Sequence, residues 1–335
     1  MSEEFVFDGM VPELQAYLNH CGMPHNGDAY NAWREEARRL STFIPEGLIG
    51  RYHAEKKRWF CRDETRESDG VVHESPSGKY RLVVTRHATV KGAWSYSKGR
   101  VYCGERLVAE VCRNYHPFPF AFVEKHPSGH DYLVCGEDYQ GQTFVELDTG
   151  RRVDYLPKSA AHGSGFCWSS IKPSPSGLTL AVNGCFWAAP YEVWFVDFSD
   201  PMSGPPIILK RDADAEDFFG WTDDAERDTA TYGATREVYT ANNKTIDECT
   251  SEELDEWERR EDAGEQVTGL RREACVTWMR GTDAEIAREY VEHLRSGWVA
   301  GGREVPEEFV ANARRMLAKL TDAERASIDA SCVIP

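Results

Sequence analysis

From residue 70 onward, apolar side chains come in short runs broken by turn residues, and the runs are rich in the β-branched and aromatic types that suit a pleated strand. "GVVHES", "FAFVEKH" and "FCWSSIKPS" each lead into a Pro-Ser-Gly unit, and "KYRLVVT", "HDYLVCG" and "LTLAVNG" follow it. Proline presets φ for a turn and glycine permits positive φ, so each unit predicts a tight hairpin between two strands. The units begin at Pro76, Pro127 and Pro175, 51 and 48 residues apart. Two further strands follow each one: "RVYC" and "RLVAEV" around Gly104-Glu105, "QTFVEL" and "RVDYLP" around Asp148-Thr149-Gly150, and "EVWFVDF" and "PIILK" around Ser199 to Pro205. Four antiparallel strands repeating every ~40–50 residues make a propeller blade.

The same spacing projects a fourth unit onto "FFGWTDDAERDTATYG", where Asp223-Asp224 replaces the Pro-Ser-Gly turn, with "REVYT" as third strand and "EACVTWMR" as fourth. Between them, Thr250 with Glu253 three residues on is a capping box that opens an acidic helix to about Asp262. Upstream, "GLIGRYHAEKKRWFCRD" from Gly47 to Asp63 alternates enough to predict a hairpin and hence an incomplete fifth blade. The strand, "PSG" turn, strand, hairpin order over residues 70 to 210 resembles β-propeller blades of the WD-repeat and TolB-like kinds, without the Trp-Asp dipeptide that ends many outer strands. The resemblance implies a mainly β, propeller-like array of about four to five four-stranded antiparallel blades with helical N- and C-terminal segments. Fold alone leaves function open.

The flanks change from strand to helix periodicity. "MVPELQAYLNHCG" and "DAYNAWREEARRLSTFI" read as short amphipathic helices; Ile286, Tyr290, Leu294 and Trp298 recur on one face after a "TDAE" cap; Phe309, Ala313, Met316, Leu317 and Leu320 do so in a last helix. The expected organisation is a helical segment over 1–45, a β domain over 46–281 with an acidic insert at about 242–267, and a helical segment over 282–335. An unclosed ring would leave sheet edges for helices, termini or another copy of the chain to cover, which makes a homo-oligomer an option.

Charge narrows the partners. The chain carries a net charge of −17, and residues 211 to 262 hold eighteen acidic against six basic residues. Direct nucleic-acid binding, which needs clustered Lys and Arg, is not expected; a solubilising face, a docking surface for a basic protein partner, or a mimic of the phosphate backbone remain. Ten scattered cysteines with no CxxC pair, a start without signal-peptide regions, and no apolar run of membrane-spanning length predict a soluble, cytoplasmic protein without structural zinc.

The loops after the second and fourth strands of each unit should share a face opposite the Pro-Ser-Gly turns. They are long, aromatic and glycine-bearing, which nominates Trp94, Tyr115, His116, Glu137, Asp138, Tyr139, His162, Phe186 and Trp187 as binding residues around one opening. Packing between blades is the alternative for Trp94 and Trp187, and a plain polar turn for Glu137-Asp138. No catalytic residue or cofactor is expected: "HGSGF" lacks the frame of a hydrolase elbow, and no P-loop, dinucleotide fingerprint or HExxH occurs. The expected function is a non-enzymatic interaction or scaffold protein that binds a protein partner through the aromatic loops or the acidic edge. The alternative is a small-molecule-binding or hydrolytic propeller enzyme with Glu137, Asp138, His116 and His162 around a metal.

Overall fold

The computed structural model describes residues 7, 28–29, 31–32, 35–36, 39, 48–67, 69–88, 95–157, 165–186, 191–212, 214–222, 227–295 and 307–328. The chain forms two compact units, Met1–Phe118 with Gly136–Tyr139, and Pro119–Cys135 with Gln140–Pro335. Among the described residues there are four sheets, all antiparallel, and no helix is long and apolar enough to cross a membrane.

In the first unit, helix α1 (Leu48–Phe60) precedes a sheet whose strands lie in chain order: β1 (Val71–Glu74), β2 (Tyr80–His87), β3 (Tyr96–Cys103) and β4 (Arg106–Arg113). Where a fifth-blade hairpin was expected over Gly47–Asp63, Leu48–Phe60 is therefore a helix; Gly47 lies outside the described residues. Tyr52 and Lys56 are buried one helical turn apart, Phe60 stacks on Tyr96 at 4.4 Å one turn further on, and Tyr52 meets the Phe7 ring edge-on. Lysines within the buried line blur the helical period: Lys56 and Lys57 are both buried, with the Lys56 ammonium 5.6 Å from the Tyr52 ring.

The second unit holds three sheets. β5 (Ala121–Val123), β6 (Tyr132–Cys135), β7 (Gln142–Glu146) and β8 (Arg152–Tyr155) form one; β9 (Cys167–Pro173), β10 (Thr179–Cys185), β11 (Tyr191–Asp197) and β12 (Ile207–Asp212) the next. The last has three strands, β13 (Ala215–Trp221), β14 (Thr229–Tyr239) and β15 (Thr268–Met279), where four were expected. The predicted "TATYG" and "REVYT" strands are one. Gly233 sits at a bulge inside β14, where an added Cβ would lie 3.0 Å from the Phe219 ring.

The Pro-Ser-Gly units make three like turns. Gly78, Gly129 and Gly177 have φ of 73°, 87° and 76°, and each donates its N–H to the carbonyl three residues back, on Ser75, His126 and Ser174 respectively. In the first and third turns a serine hydroxyl also accepts from the following strand, Tyr80 N–H to Ser75 Oγ and Thr179 N–H to Ser174 Oγ, both at 3.1 Å. That hydroxyl sets where strand pairing restarts.

Val134, Phe144, Leu180, Val182 and Phe198 fill the core between the first two sheets of this unit. A larger core joins Phe195, Leu209, Ala230 and Tyr232 to helices α3 (Asp283–Arg295) and α4 (Glu307–Lys319) through Ile286, Tyr290, Ala313, Met316 and Leu317. The predicted stripes do pack, and Thr282 with Glu285 caps α3 reciprocally. Trp298 and the side chain of Phe309 lie outside the described residues.

A polar hub sits at the third turn. Asp228 accepts from Ser176 Oγ at 2.8 Å and Thr179 Oγ1 at 2.6 Å; Arg280 donates to Leu178 O and Thr179 Oγ1; Asp197 pairs with Arg280 at 2.7 Å and Lys319 at 2.5 Å. Burial pushes the Asp197 carboxyl up, but the Arg280 and Lys319 charges outweigh it and hold it below its usual value. Asp197→Asn should destabilise the protein by about 3 kcal/mol at neutral pH, since removing one member of a buried pair strands the others. A depressed folded-state pKa means this stabilisation is complete above the unfolded value of about 3.9 and is lost as pH falls through the folded value. Urea midpoints of wild type and variant should differ at pH 7 and converge in acid.

Candidate functional site

Five of the nine nominated residues come together in the first unit. The loop after β4 carries Tyr115 and His116, and the segment after β6 carries Glu137, Asp138 and Tyr139. What joins them is Arg113, the buried last residue of β4. Its Nε donates to Pro117 O at 2.8 Å, and its Nη1 donates to Gly136 O at 2.6 Å and Asp138 O at 2.8 Å. Asn114 completes the clamp: its backbone N–H donates to Glu137 O, its Nδ2 to Asp138 Oδ2 at 2.5 Å, and its Oδ1 accepts from Tyr139 N–H at 2.9 Å.

Two further contacts fix the loop after β4. Ser97 Oγ donates to Tyr115 O at 2.6 Å, and Phe118 lies over Gly99, where a Cβ would come within 2.5 Å of its ring. Only glycine admits the ring there.

The side chains sort into two kinds. Glu137 pairs with the buried Lys57 of α1 at 2.9 Å, and Asp138 takes the Asn114 amide, so both carboxylates already serve the fold. Tyr115 stands edge-on to Tyr139 at 6.1 Å and to His116 at 5.0 Å, and His116 is exposed. Burial of part of the ring, then the Arg86 charge, lower the His116 pKa against the pull of Glu67, so the imidazole is neutral at physiological pH. The product is an aromatic contact surface on a backbone held by a guanidinium. Among the described residues, no group of three or more His, Cys, Asp or Glu side chains is arranged to hold a metal.

Phe186 belongs to the second unit. It packs against Phe166 at 5.2 Å and lies under the Arg211 guanidinium, within a stack in which Phe166 and Trp194 are parallel at 3.8 Å. Trp94, His162 and Trp187 lie outside the described residues. Sequence reasoning missed Lys57, Arg113 and Asn114. Lys57 was hidden by the hairpin reading of its helix; Arg113 did carry a signal, a cation closing an apolar strand.

No protein-family model matches the chain. The chain is 35% identical over 198 residues to "Uncharacterized protein R762" of Acanthamoeba polyphaga mimivirus, covering 54% of this chain and 75% of the viral protein. It belongs to the family of that protein. Among solved structures, a chain of Kuenenia stuttgartiensis hydrazine synthase aligns at 12% identity over 60% of each chain with a TM-score of 0.23, an overlap that carries no argument.

Arg113→Ala should release both loops together. Three carbonyls lose a charged donor, a cost of about 3 kcal/mol. Hydrogen exchange at the Asn114 and Tyr139 amides should accelerate in Arg113→Ala and stay unchanged in His116→Ala.

Proposed function

We propose that the protein is a non-enzymatic interaction or scaffold protein whose repeated sheets are blades of a propeller-like array and whose docking element is an acidic arm. The carrying observation is the way the arm folds. β14 and β15 stay paired beyond the end of β13, from Thr235–Arg272 out to Tyr239–Thr268, and α2 (Ser251–Asp262) lies across their tip.

The arm has a core of its own. Trp257 of α2 stacks on Tyr239 at 5.3 Å beside Val267, and none of these side chains joins the larger core of the unit. The helix is capped reciprocally by Thr250 and Glu253, and Lys244 first, then the Thr250 N–H, hold the Glu253 carboxyl down to about 2. Glu252, Asp255 and Asp262 are exposed on the face opposite Trp257, which they share with Arg259, and Glu258 is exposed on its flank. Ile246 and Leu270 are 62% and 78% exposed on the same arm. Ordering such a segment costs conformational entropy that a solubilising charge would not require. An acidic stripe with exposed aliphatic side chains suits a basic partner surface with apolar positions of its own.

The aromatic loop surface offers a second contact area. Engagement of Glu137 by Lys57 and of Asp138 by Asn114 favours this reading over the metal-centred enzyme alternative, since among the described residues, which do not include His162, no group of three such ligands is arranged to hold a metal.

Replacing residues 242–267 with a glycine linker should leave the far-ultraviolet β signal intact and reduce partner capture from the native host at least tenfold. Neutralising Glu252, Asp255, Glu258 and Asp262 to amides should weaken capture with the arm still folded, and raised salt should do the same to wild type. Undiminished capture by both variants would remove the arm from the proposal.

A further inference from the structure

We propose that Ser128 is an activated nucleophile that accepts an acyl group from a small ester, with His126 as its general base, an activity that stands beside the docking role above and departs from its non-enzymatic part. The three like turns supply the comparison. In the first and third, the residue before proline is a serine whose hydroxyl faces the serine two residues on, Ser75 to Ser77 at 3.5 Å and Ser174 to Ser176 at 3.2 Å. In the second turn that residue is His126. A hydroxyl suffices to build the turn, so an imidazole in its place adds a base where its siblings have none.

The hydrogen bonds fix the tautomer. The Ser128 backbone N–H donates to His126 Nδ1 at 3.1 Å, so Nδ1 is the unprotonated nitrogen; His126 Nε2–H donates to Phe198 O at 2.9 Å. Ser128 Oγ, 2.8 Å from Nδ1, donates to it, and the Tyr132 hydroxyl, 3.0 Å away, donates to Ser128 Oγ. A nucleophile, a base and a group that orients the base thus stand in line. His126 is 2% exposed and held edge-on by Tyr132 and Phe198, whereas Ser128 is exposed.

Ser128 opens onto a cleft of about 360 Å³ that it shares with His130, Tyr132, Glu146, Arg151 and Met202. Two basic side chains line it with the acidic Glu146 and Asp200: Arg151 is largely exposed and pairs with Glu146, and the hydrogen bond to Asp148 at 2.6 Å raises the His130 pKa above its ordinary value. Both line the cleft that the oxyanion of a tetrahedral intermediate would enter, and the volume admits a short ester.

In the first half-reaction Ser128 Oγ bonds to the ester carbonyl carbon and the bond to the alcohol oxygen breaks. The serine proton passes to His126 Nδ1 and then to the leaving alkoxide. In the second, water attacks the acyl-serine, gives a proton to Nδ1 and so to Ser128, and releases the acid. Desolvation lowers the His126 pKa; the Phe198 carbonyl, Asp197 and Asp200 oppose this and His130 adds to it, with the net shift downward. The free base is therefore the form present at neutral pH.

The test is built into the protein, because Ser77 and Ser176 occupy sibling turns. The full chain is treated with a fluorophosphonate probe at neutral pH, adducts are located by peptide mass analysis, and 4-nitrophenyl acetate release is followed. Adduct on Ser128 and not on Ser77 or Ser176 is expected, with release abolished in Ser128→Ala. His126→Ser recreates the sibling turn sequence but removes a buried ring, so it should lower the thermal midpoint; assayed at a temperature where the variant is still folded, it should slow labelling about 100-fold, and Ser128→Ala, which leaves the ring in place, should keep the midpoint. Labelling should also fall as acid protonates His126, with a midpoint below the ordinary histidine range. Absence of adduct on Ser128, equal labelling of the three serines, or labelling unchanged by His126→Ser would each overturn the proposal.

Discussion

A buried carboxylate shared between two cations organises the second unit. Asp197 ends β11, Arg280 follows β15 and Lys319 ends α4, so one ionic contact joins a sheet, its neighbour and the helical layer. Arg280 also caps the strand start at Leu178 and Thr179, and Asp228 closes the same turn from below. The geometry is strict because charges out of water must each find full hydrogen bonding. The apolar core around Phe195, Met316 and Leu317 fills in behind these anchors.

The same economy recurs in the turns. One four-residue device, with proline, a polar side chain and a positive-φ glycine, starts a sheet three times, and its side chains vary with what lies nearby: Ser176 reaches Asp228, whereas His126 reaches Phe198 O. Substitution inside a conserved geometry is how a structural turn acquires chemistry without a new fold. The arm shows the converse, in which a hairpin lengthened past its sheet needs its own stacked pair, Tyr239 and Trp257, to stay ordered.

The candidate site was only partly legible. Aromatic and acidic loop residues could be named because loops with Tyr, His and Glu next to glycine are unusual, and the first unit does bring Tyr115, His116, Glu137, Asp138 and Tyr139 together. Their roles could not be read. Whether Glu137 meets a cation from solution or Lys57 from a helix depends on residues 80 positions apart, and the helix itself was misread because lysines interrupt its apolar face. Arg113 looked like a strand-end charge; three carbonyl partners make it the clamp.

Local chemistry decided the strands, the hairpin turns, the caps at Thr250, Thr282 and Thr321, and the charge of the arm, because each depends on residues a few positions apart whose backbone preferences are intrinsic. Tertiary structure decided the rest. Gly233 forms a bulge beside the Phe219 ring; Leu48–Phe60 becomes a helix once Tyr52 and Phe60 have rings to pack on; and His126 gains its base-like tautomer only when Phe198, 72 residues away, presents a carbonyl to its other nitrogen. Contacts of long sequence separation carry no local signature, so the groups they position acquire their chemistry only when the chain has folded.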